Sequence, residues 1–483
     1  MNQGITLLGL GPGDPCLLSR EAWDVINTAS EIYLRTRNHP TVSGFPEDVE
    51  IHSFDFLYEE KVSFNEVYSK IIERILFLGE RPSGVIYAVP GHPFVAEATC
   101  PEIFRQAKKA GIPVRVCDGI SFLEPVFRDL GIDPFDGIFL ADALEFVNLH
   151  HPLFPPHYPV LIAQIYDQYI ASEVKLTLMN LYPDTQPVIL VHNAGTENCI
   201  IENIPLYQID RSKEISLFTV LYLPSIGKNS SFEELQEIAA HLRAPEGCPW
   251  DREQTIESMQ THLIEEAYEV LNAIDSQDVS KIKEELGDIL LVITMLMQIG
   301  SEEGSFTSAE VFKLITTKLI HRHPHVFSDL RLDGAEAVLQ NWERIKAQER
   351  KDDGQMEKSL LDGVPITLPS LIQAQEYQDR AARVGFDWPE IENVWEKYYE
   401  EIKELQEAES VNERAAEMGD VLFALVNIAR WYGVDAEGVL RGANQRFRQR
   451  FSFIEKFARV QGKDLPEMSL EEMDALWNQA KGS

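Results

Sequence analysis

Short apolar runs closed by glycine- and proline-rich loops set the rhythm of the first part of the chain. Ile5-Thr-Leu-Leu-Gly-Leu10 ends in Gly11-Pro-Gly-Asp14, Gly84-Val-Ile-Tyr-Ala-Val89 in Pro90-Gly-His-Pro93, and Val114-Arg-Val-Cys117 in Asp118-Gly-Ile-Ser121. Between them, residues 18–26, capped by Ser19, and residues 96–109 read as helices. Apolar runs at 158–163 and 188–192 predict buried strands, and 216–223 a closing one. Strands alternating with helices imply a parallel α/β sheet with its ligand at the strand ends. The loop 224–231 ends this part, and Ser231 with Glu234 forms a capping-box signature for a helix over 232–242. From there the pattern is helical to the last residue, apart from loops.

Within the helical part, His262-Leu-Ile-Glu-Glu-Ala-Tyr-Glu269 is answered by Glu284-Glu-Leu-Gly-Asp288, acidic positions on helical spacing with no basic partners nearby. Glu265 and Glu266 precede Glu269 by four and three residues and share its face; Glu285 and Asp288 do the same on the next helix. The apolar stripes between them (Leu263, Ile264, Ala267, Val270, Leu271, then Ile282, Leu286, Ile289, Leu290, Val292, Ile293) are expected to bury one side of each helix and draw the acidic rows together. Converging carboxylates repel and raise each other's pKa unless a cation neutralises them. Hard oxygen donors suit Mg²⁺ or Mn²⁺ rather than zinc. One such row is more often a solvated face. Here Glu400-Glu-Ile-Lys-Glu404 and Glu417-Met-Gly-Asp420 repeat the arrangement some 135 residues later, which argues for duplication of a working unit.

These paired motifs resemble the MazG-type nucleoside triphosphate pyrophosphohydrolases, all-α enzymes. Leu242-Arg-Ala-Pro-Glu-Gly-Cys-Pro-Trp-Asp251, Gln254-Thr255 and Arg322-His-Pro-His-Val-Phe327 resemble the flanks of that family's first repeat; Arg380-Ala-Ala-Arg-Val-Gly-Phe-Asp-Trp-Pro389 and Ala443-Asn444 resemble those of its second. The resemblance implies Mg²⁺-dependent (or Mn²⁺-dependent) release of pyrophosphate from nucleoside triphosphates. Its metal ligands would be Glu266, Glu269, Glu285 and Asp288, and again Glu401, Glu404, Glu417 and Asp420, with Glu265 or Glu400 activating water. Trp250 is a candidate for stacking on a nucleobase, or a packed loop anchor. Lys318 and Arg322, four residues apart on one helix face, suit leaving-phosphate contacts. Arg441, Asn444 and Arg448 lie where the resemblance places triphosphate contacts. Helical pyrophosphatases of this group generally pair their bundles; pairing of the tandem repeats within one chain or across a homodimer would both satisfy this, and the homodimer is expected.

The N-terminal loops, with Pro187-Val-Ile-Leu-Val-His-Asn-Ala-Gly-Thr196, resemble the S-adenosylmethionine-dependent tetrapyrrole methylases, which hold their cofactor between two α/β subdomains. The resemblance nominates Gly11, Pro12, Gly13, Gly91, His92, Val95, Ser121 and Ala194 as cofactor-binding. His92 stands where the family commonly has Asp, which puts methyl transfer in question. The expected architecture is therefore multidomain: an α/β methylase-like domain over 1–224, then two all-α bundles over 232–350 and 366–483, with 351–366 a polar linker or mobile lid. Two rival readings use the same residues: a nucleotide-sensing scaffold, or a tetrapyrrole methyltransferase whose helical part serves dimerisation.

At 483 residues the chain exceeds one ordinary core. Its formal charge of −35, from 78 acidic against 43 basic residues, disfavours a broad surface for nucleic acid or anionic lipid, so a small polyanion must be met by a metal or a local basic cluster. Five dispersed cysteines give no disulfide or zinc framework. With no apolar run of membrane-spanning length, a cytoplasmic protein is expected.

Overall fold

A computed structural model describes residues 4–59, 64–352 and 359–481. The chain divides into two compact units, Met1–Glu253 and Gln254–Ser483. The division falls after the helices Phe232–Arg243 and Pro249–Arg252.

The first unit holds two five-stranded sheets. Strands β1 (Ile5–Gly9), β2 (Glu31–Leu34), β3 (Glu50–Ser53), β4 (Val85–Val89) and β5 (Val114–Cys117) form the first, in the order β3-β2-β4-β1-β5. All pairs are parallel, with Ile5 opposite both Val85 and Val114. Helices cover both faces, so β1 and β4 are apolar almost throughout, as a doubly covered strand requires. Ser19 caps the Arg20–Thr28 helix as expected, its hydroxyl accepting from the Ala22 N–H.

The second sheet, which holds the strands expected at 158–163, 188–192 and 216–223, is mixed. Strands β6 (Phe139–Asp142), β7 (Val160–Ala163), β8 (Pro187–His192), β9 (Ile200–Pro205) and β10 (Thr219–Leu223) take the order β6-β7-β10-β8-β9, and only β6 and β7 run parallel. β8 and β9 are joined by a connection too short for a crossover, and β10 inserts antiparallel to both β7 and β8. The Phe232–Arg243 helix starts at Ser231, whose hydroxyl accepts from the Glu234 N–H. The Glu234 carboxylate accepts in return from the Ser230 N–H.

The second unit is helical throughout its described elements. Met259–Asp275 and Val279–Glu302 form one helical hairpin, and Ile391–Glu407 with Val411–Trp431 forms another. Ser308–Arg322 and Gly334–Asp352 follow the first; Ser370–Arg383 precedes the second, and Ala436–Gln461 and Leu470–Ala480 follow it. Capping boxes at Thr307/Glu310, Ser410/Glu413 and Ser469/Glu472 fix three of the helix starts. Glutamines stitch the second repeat: Gln378 donates to the Phe423 carbonyl at 2.8 Å, and Gln375 bonds Val434 and Ala436. Arg441 reaches Asp275 at 2.6 Å and Gln445 reaches Asn272 at 3.2 Å, tying the second repeat to the first.

The apolar stripes expected to bury one side of the first hairpin do so only in part. Val292 is buried, but Ile264, Leu286, Leu290 and Ile293 remain exposed among the described residues. Part of the expected linker, 353–358, lies outside the described residues. Beyond it the chain is pinned rather than loose, since the Arg380 guanidinium donates to the Leu360 and Gly363 carbonyls and Val364 is buried.

Candidate functional sites

Each hairpin of the helical unit brings acidic residues from two helices together. The ligand oxygens of Glu266, Glu285 and Asp288 lie within 4.8 Å of one another, and so do those of Glu401, Glu417 and Asp420. In the first set, partial burial and the nearby Asp288, Glu269 and Glu265 carboxylates raise the Glu266 pKa. Glu285 is raised by desolvation, then by the charge of Glu269 and a carboxyl–carboxyl hydrogen bond to it. Glu417 is likewise raised by desolvation and by Glu404, Asp420 and Glu401.

These sites fit a hard divalent cation. The donors are all carboxylate oxygens, and the buried Oε2 of Glu266 has no hydrogen-bond partner. A buried acceptor left unpaired is costly, and a cation would satisfy it. Glu269 and Glu404 stand outside the tight trios but close enough to perturb them.

The second set departs from the expectation that these rows lack basic partners. Lys397 Nζ lies 2.7 Å from Glu401 Oε1 and 3.1 Å from Glu400 Oε1. The two carboxylates hold the ammonium pKa up, Glu401 more than Glu400. Sequence reading missed Lys397, although its position one helical turn before the paired glutamates was the available signal.

The other nucleotide-site candidates are dispersed. Arg322 is engaged by Glu349, with Nη2 at 2.5 Å from Oε2, and this pair holds the Glu349 pKa down. Arg441 is engaged by Asp275. Asn444 and Arg448 are exposed on the Ala436–Gln461 helix, and Lys318 is exposed near the end of Ser308–Arg322. Trp250 is exposed on Pro249–Arg252, in the first compact unit.

The first unit contains a cavity of about 440 Å³ between its two sheets. Its lining includes Gly11, Pro12, Gly91, Val95 and Ala194 from the nominated set, but not Gly13, His92 or Ser121. Gly11 and Gly91, both at positive φ, bridge the β1 and β4 loops backbone to backbone. A Cβ on Gly119 would lie 2.9 Å from the Gly9 Cα, so this glycine is needed for loop-to-loop packing. The left-handed turn at Gly91 directs His92 elsewhere: its Nδ1 accepts from the Phe94 N–H at 3.0 Å, and its Nε2 lies 3.4 Å from Asp118. The Ser121 hydroxyl donates to Glu124 at 2.5 Å.

Residues after β2 supply cavity groups that the sequence did not reveal. Arg35 pairs with the buried Glu97 and donates to the Tyr58 and Tyr68 hydroxyls at 3.2 and 3.1 Å. His39 is only 4% exposed, and neither ring nitrogen makes a well-formed hydrogen bond. Burial pushes its pKa down to about 4, against a weak upward contribution from the Gly11 backbone. Ala96 and Gln164 also line the cavity with positive φ, at 51° and 66°, a conformation non-glycine residues adopt at a cost.

Comparison with known proteins assigns both halves. The family of tetrapyrrole (corrin/porphyrin) methylases matches residues 4–210, and the MazG nucleotide pyrophosphohydrolase domain matches 254–327. A Bacillus subtilis (strain 168) protein named "Uncharacterized protein YabN" is 43% identical over 99% of this chain and 98% of its own. The nucleoside triphosphate pyrophosphohydrolase/pyrophosphatase MazG of Thermotoga maritima is 44% identical over 52% of this chain and 96% of its own. Among solved structures, a uroporphyrin-III-C-methyltransferase from Thermus thermophilus matches 47% of this chain and 93% of its own, at 18% identity and a TM-score of 0.36. No described helix is long and apolar enough to cross a membrane. Full-length similarity to YabN, with the two family matches in the same order, places this chain in the MazG family, in the form that carries an N-terminal tetrapyrrole methylase domain.

Proposed function

We propose that the helical part hydrolyses nucleoside triphosphates to nucleoside monophosphates and pyrophosphate with the help of Mg²⁺ or Mn²⁺. The observation that carries this reading is the recurrence of one carboxylate trio, Glu266/Glu285/Asp288 and Glu401/Glu417/Asp420, in two helical hairpins. We take 232–350 and 366–483 as the two working repeats and 1–224 as the methylase-like domain. The trios would hold the cation, with Glu269 and Glu404 beside them. When bound, a divalent cation polarises the phosphate under attack and offsets the charge of departing pyrophosphate. Without it, the carboxylates repel a triphosphate. Glu265 and Glu400, each adjacent in sequence to a ligand, would take the proton of the attacking water. Lys318, Asn444 and Arg448 are the proposed phosphate contacts, whereas Arg322 and Arg441 would first have to leave Glu349 and Asp275.

The test is a panel of ribo- and deoxyribonucleoside triphosphates assayed for monophosphate and pyrophosphate with and without Mg²⁺. Metal-dependent formation of both products is expected. Unaltered pyrophosphate release by the Glu285→Gln/Glu417→Gln double variant would overturn the scheme.

A second reading concerns the first unit. The cavity with its unpaired His39 and strained Ala96 and Gln164 favours a small-molecule site, for which S-adenosylmethionine is the proposed occupant. Calorimetry with S-adenosylmethionine tests it, and no binding heat at millimolar ligand would reject it. The exposed Ile264, Leu286, Leu290 and Ile293, on the helices that carry the first trio, support a homodimer whose second copy covers them. Light scattering that gives the monomer mass at micromolar concentration would reject that assembly.

A further inference from the structure

The two carboxylate sets match residue for residue, but their counter-charges do not. Aligning Glu400-Glu401-Glu404 with Glu265-Glu266-Glu269 places Lys397 opposite His262. In the second repeat the Lys397 ammonium bonds Glu401 at 2.7 Å and Glu400 at 3.1 Å. Glu401 is the most buried member of its trio. In the first repeat the equivalent Glu266 keeps a buried oxygen with no hydrogen-bond partner, and the His262 ring lies 3.6 Å from Glu265.

We infer that Lys397 is a resident counter-ion of the second carboxylate set, which a divalent cation must displace, so that the two repeats bind free metal with different affinities. The inference rests on the metal reading of the two trios given above. The first set offers an unsatisfied oxygen and takes a cation directly. In the second, the cation competes for Glu401 with an ammonium tethered one helical turn away on the same helix. A triphosphate arriving with the metal brings negative charge that can receive the displaced ammonium. The second repeat therefore loads metal chiefly together with nucleotide, the first also without it. Metal and nucleotide binding are coupled more strongly in the second repeat than in the first.

The experiment is Mn²⁺ binding to the full chain without nucleotide, followed by the electron paramagnetic resonance signal of the free ion. Wild type is expected to show one tight class, lost in Glu285→Gln/Asp288→Asn. Lys397→Met should tighten the weak class by at least about tenfold, the effect of removing one positive charge beside a divalent ion in a screened setting. Adding Asp420→Asn should abolish that gain, and Lys397→Arg should retain the wild-type isotherm. Lys397 is 38% exposed in its side chain, and circular dichroism checks that each variant is folded. Two equal classes in wild type, with Lys397→Met unchanged, would overturn this inference while leaving the metal reading intact. No Mn²⁺ bound by wild type or by Lys397→Met would overturn both.

Discussion

Adding Mg²⁺ or Mn²⁺ should stabilise the helical unit before any nucleotide is present. A ligand that binds only the folded state contributes about 2.7 kcal/mol at a concentration one hundred times its dissociation constant. For a unit the size of Gln254–Ser483, each kcal/mol moves the midpoint by about 2–4 °C, so one filled set predicts a shift of about 5–11 °C. Five of the seven tryptophans (Trp342, Trp388, Trp395, Trp431, Trp477) lie in this unit, so intrinsic fluorescence follows its melting. The pH dependence has a definite sign. Glu266, Glu285 and Glu417 have raised folded-state pKa values, so the folded chain binds their protons more tightly than the unfolded chain does. Their contribution without metal is therefore destabilising above the raised values and is relieved as pH falls through them toward the ordinary carboxylate range. Protons then take the place of the cation, and the metal-induced shift should shrink over that same interval. Glu349, held low by Arg322, has the opposite sign, and its contribution is lost only at lower pH. A melting curve unchanged by either metal at constant ionic strength would refute the reasoning, as would an equal shift in Glu285→Gln/Glu417→Gln.

Three further outcomes are expected. Single Glu285→Gln and Glu417→Gln variants should apportion pyrophosphate release between the repeats, and the double variant should lose it by about a hundredfold or more, read by a coupled phosphate assay with pyrophosphatase. Arg35→Met leaves the buried Glu97 without its cation and should destabilise the first unit by about 3 kcal/mol, read by amide hydrogen exchange of its central strands; a loss under about 1 kcal/mol would show that the backbone N–H groups of Thr99 and Cys100 suffice to hold Glu97. His39→Leu removes two buried ring nitrogens that lack good partners, so the ligand-free first unit should keep its stability within about 1 kcal/mol while S-adenosylmethionine binding weakens, both measured by calorimetry. A loss above about 2 kcal/mol without ligand would mean that His39 is satisfied within the folded chain.

Strands whose apolar runs end in a glycine-marked loop were readable: β1, β4 and β5 carry the expected residues within a position of their observed ends. β2, β3 and β6 were not. Each has four residues and begins or ends on a charged one, leaving too little pattern to separate it from a loop. That omission reached the site. Arg35 and His39 follow the carboxyl end of β2, where an α/β sheet places ligands, so missing the strand meant missing its loop. His92 lies off the cavity lining for a different reason. It adjoins a correctly read glycine, but the left-handed turn at Gly91 carries it away from the cavity, and a motif read as a string cannot express that change of direction.

In the helical unit the same distinction separates position from charge balance. Helical spacing alone predicts which carboxylates share a face, and Glu266, Glu285 and Asp288 meet as Glu401, Glu417 and Asp420 do. It does not decide what neutralises them, because that depends on side chains a turn away and on how far each acid is withdrawn from water. One set retains an unpaired buried oxygen, and the other is closed by an ammonium. The two repeats therefore share their ligands and differ in the occupant of the helical turn before them, imidazole in one and ammonium in the other. Exchanging His262 and Lys397 between the repeats should exchange their affinities for free Mn²⁺ without moving any of the six ligands. If the tight class stayed with the first repeat after the exchange, burial of the ligands would be setting the affinity instead of the neighbouring charge.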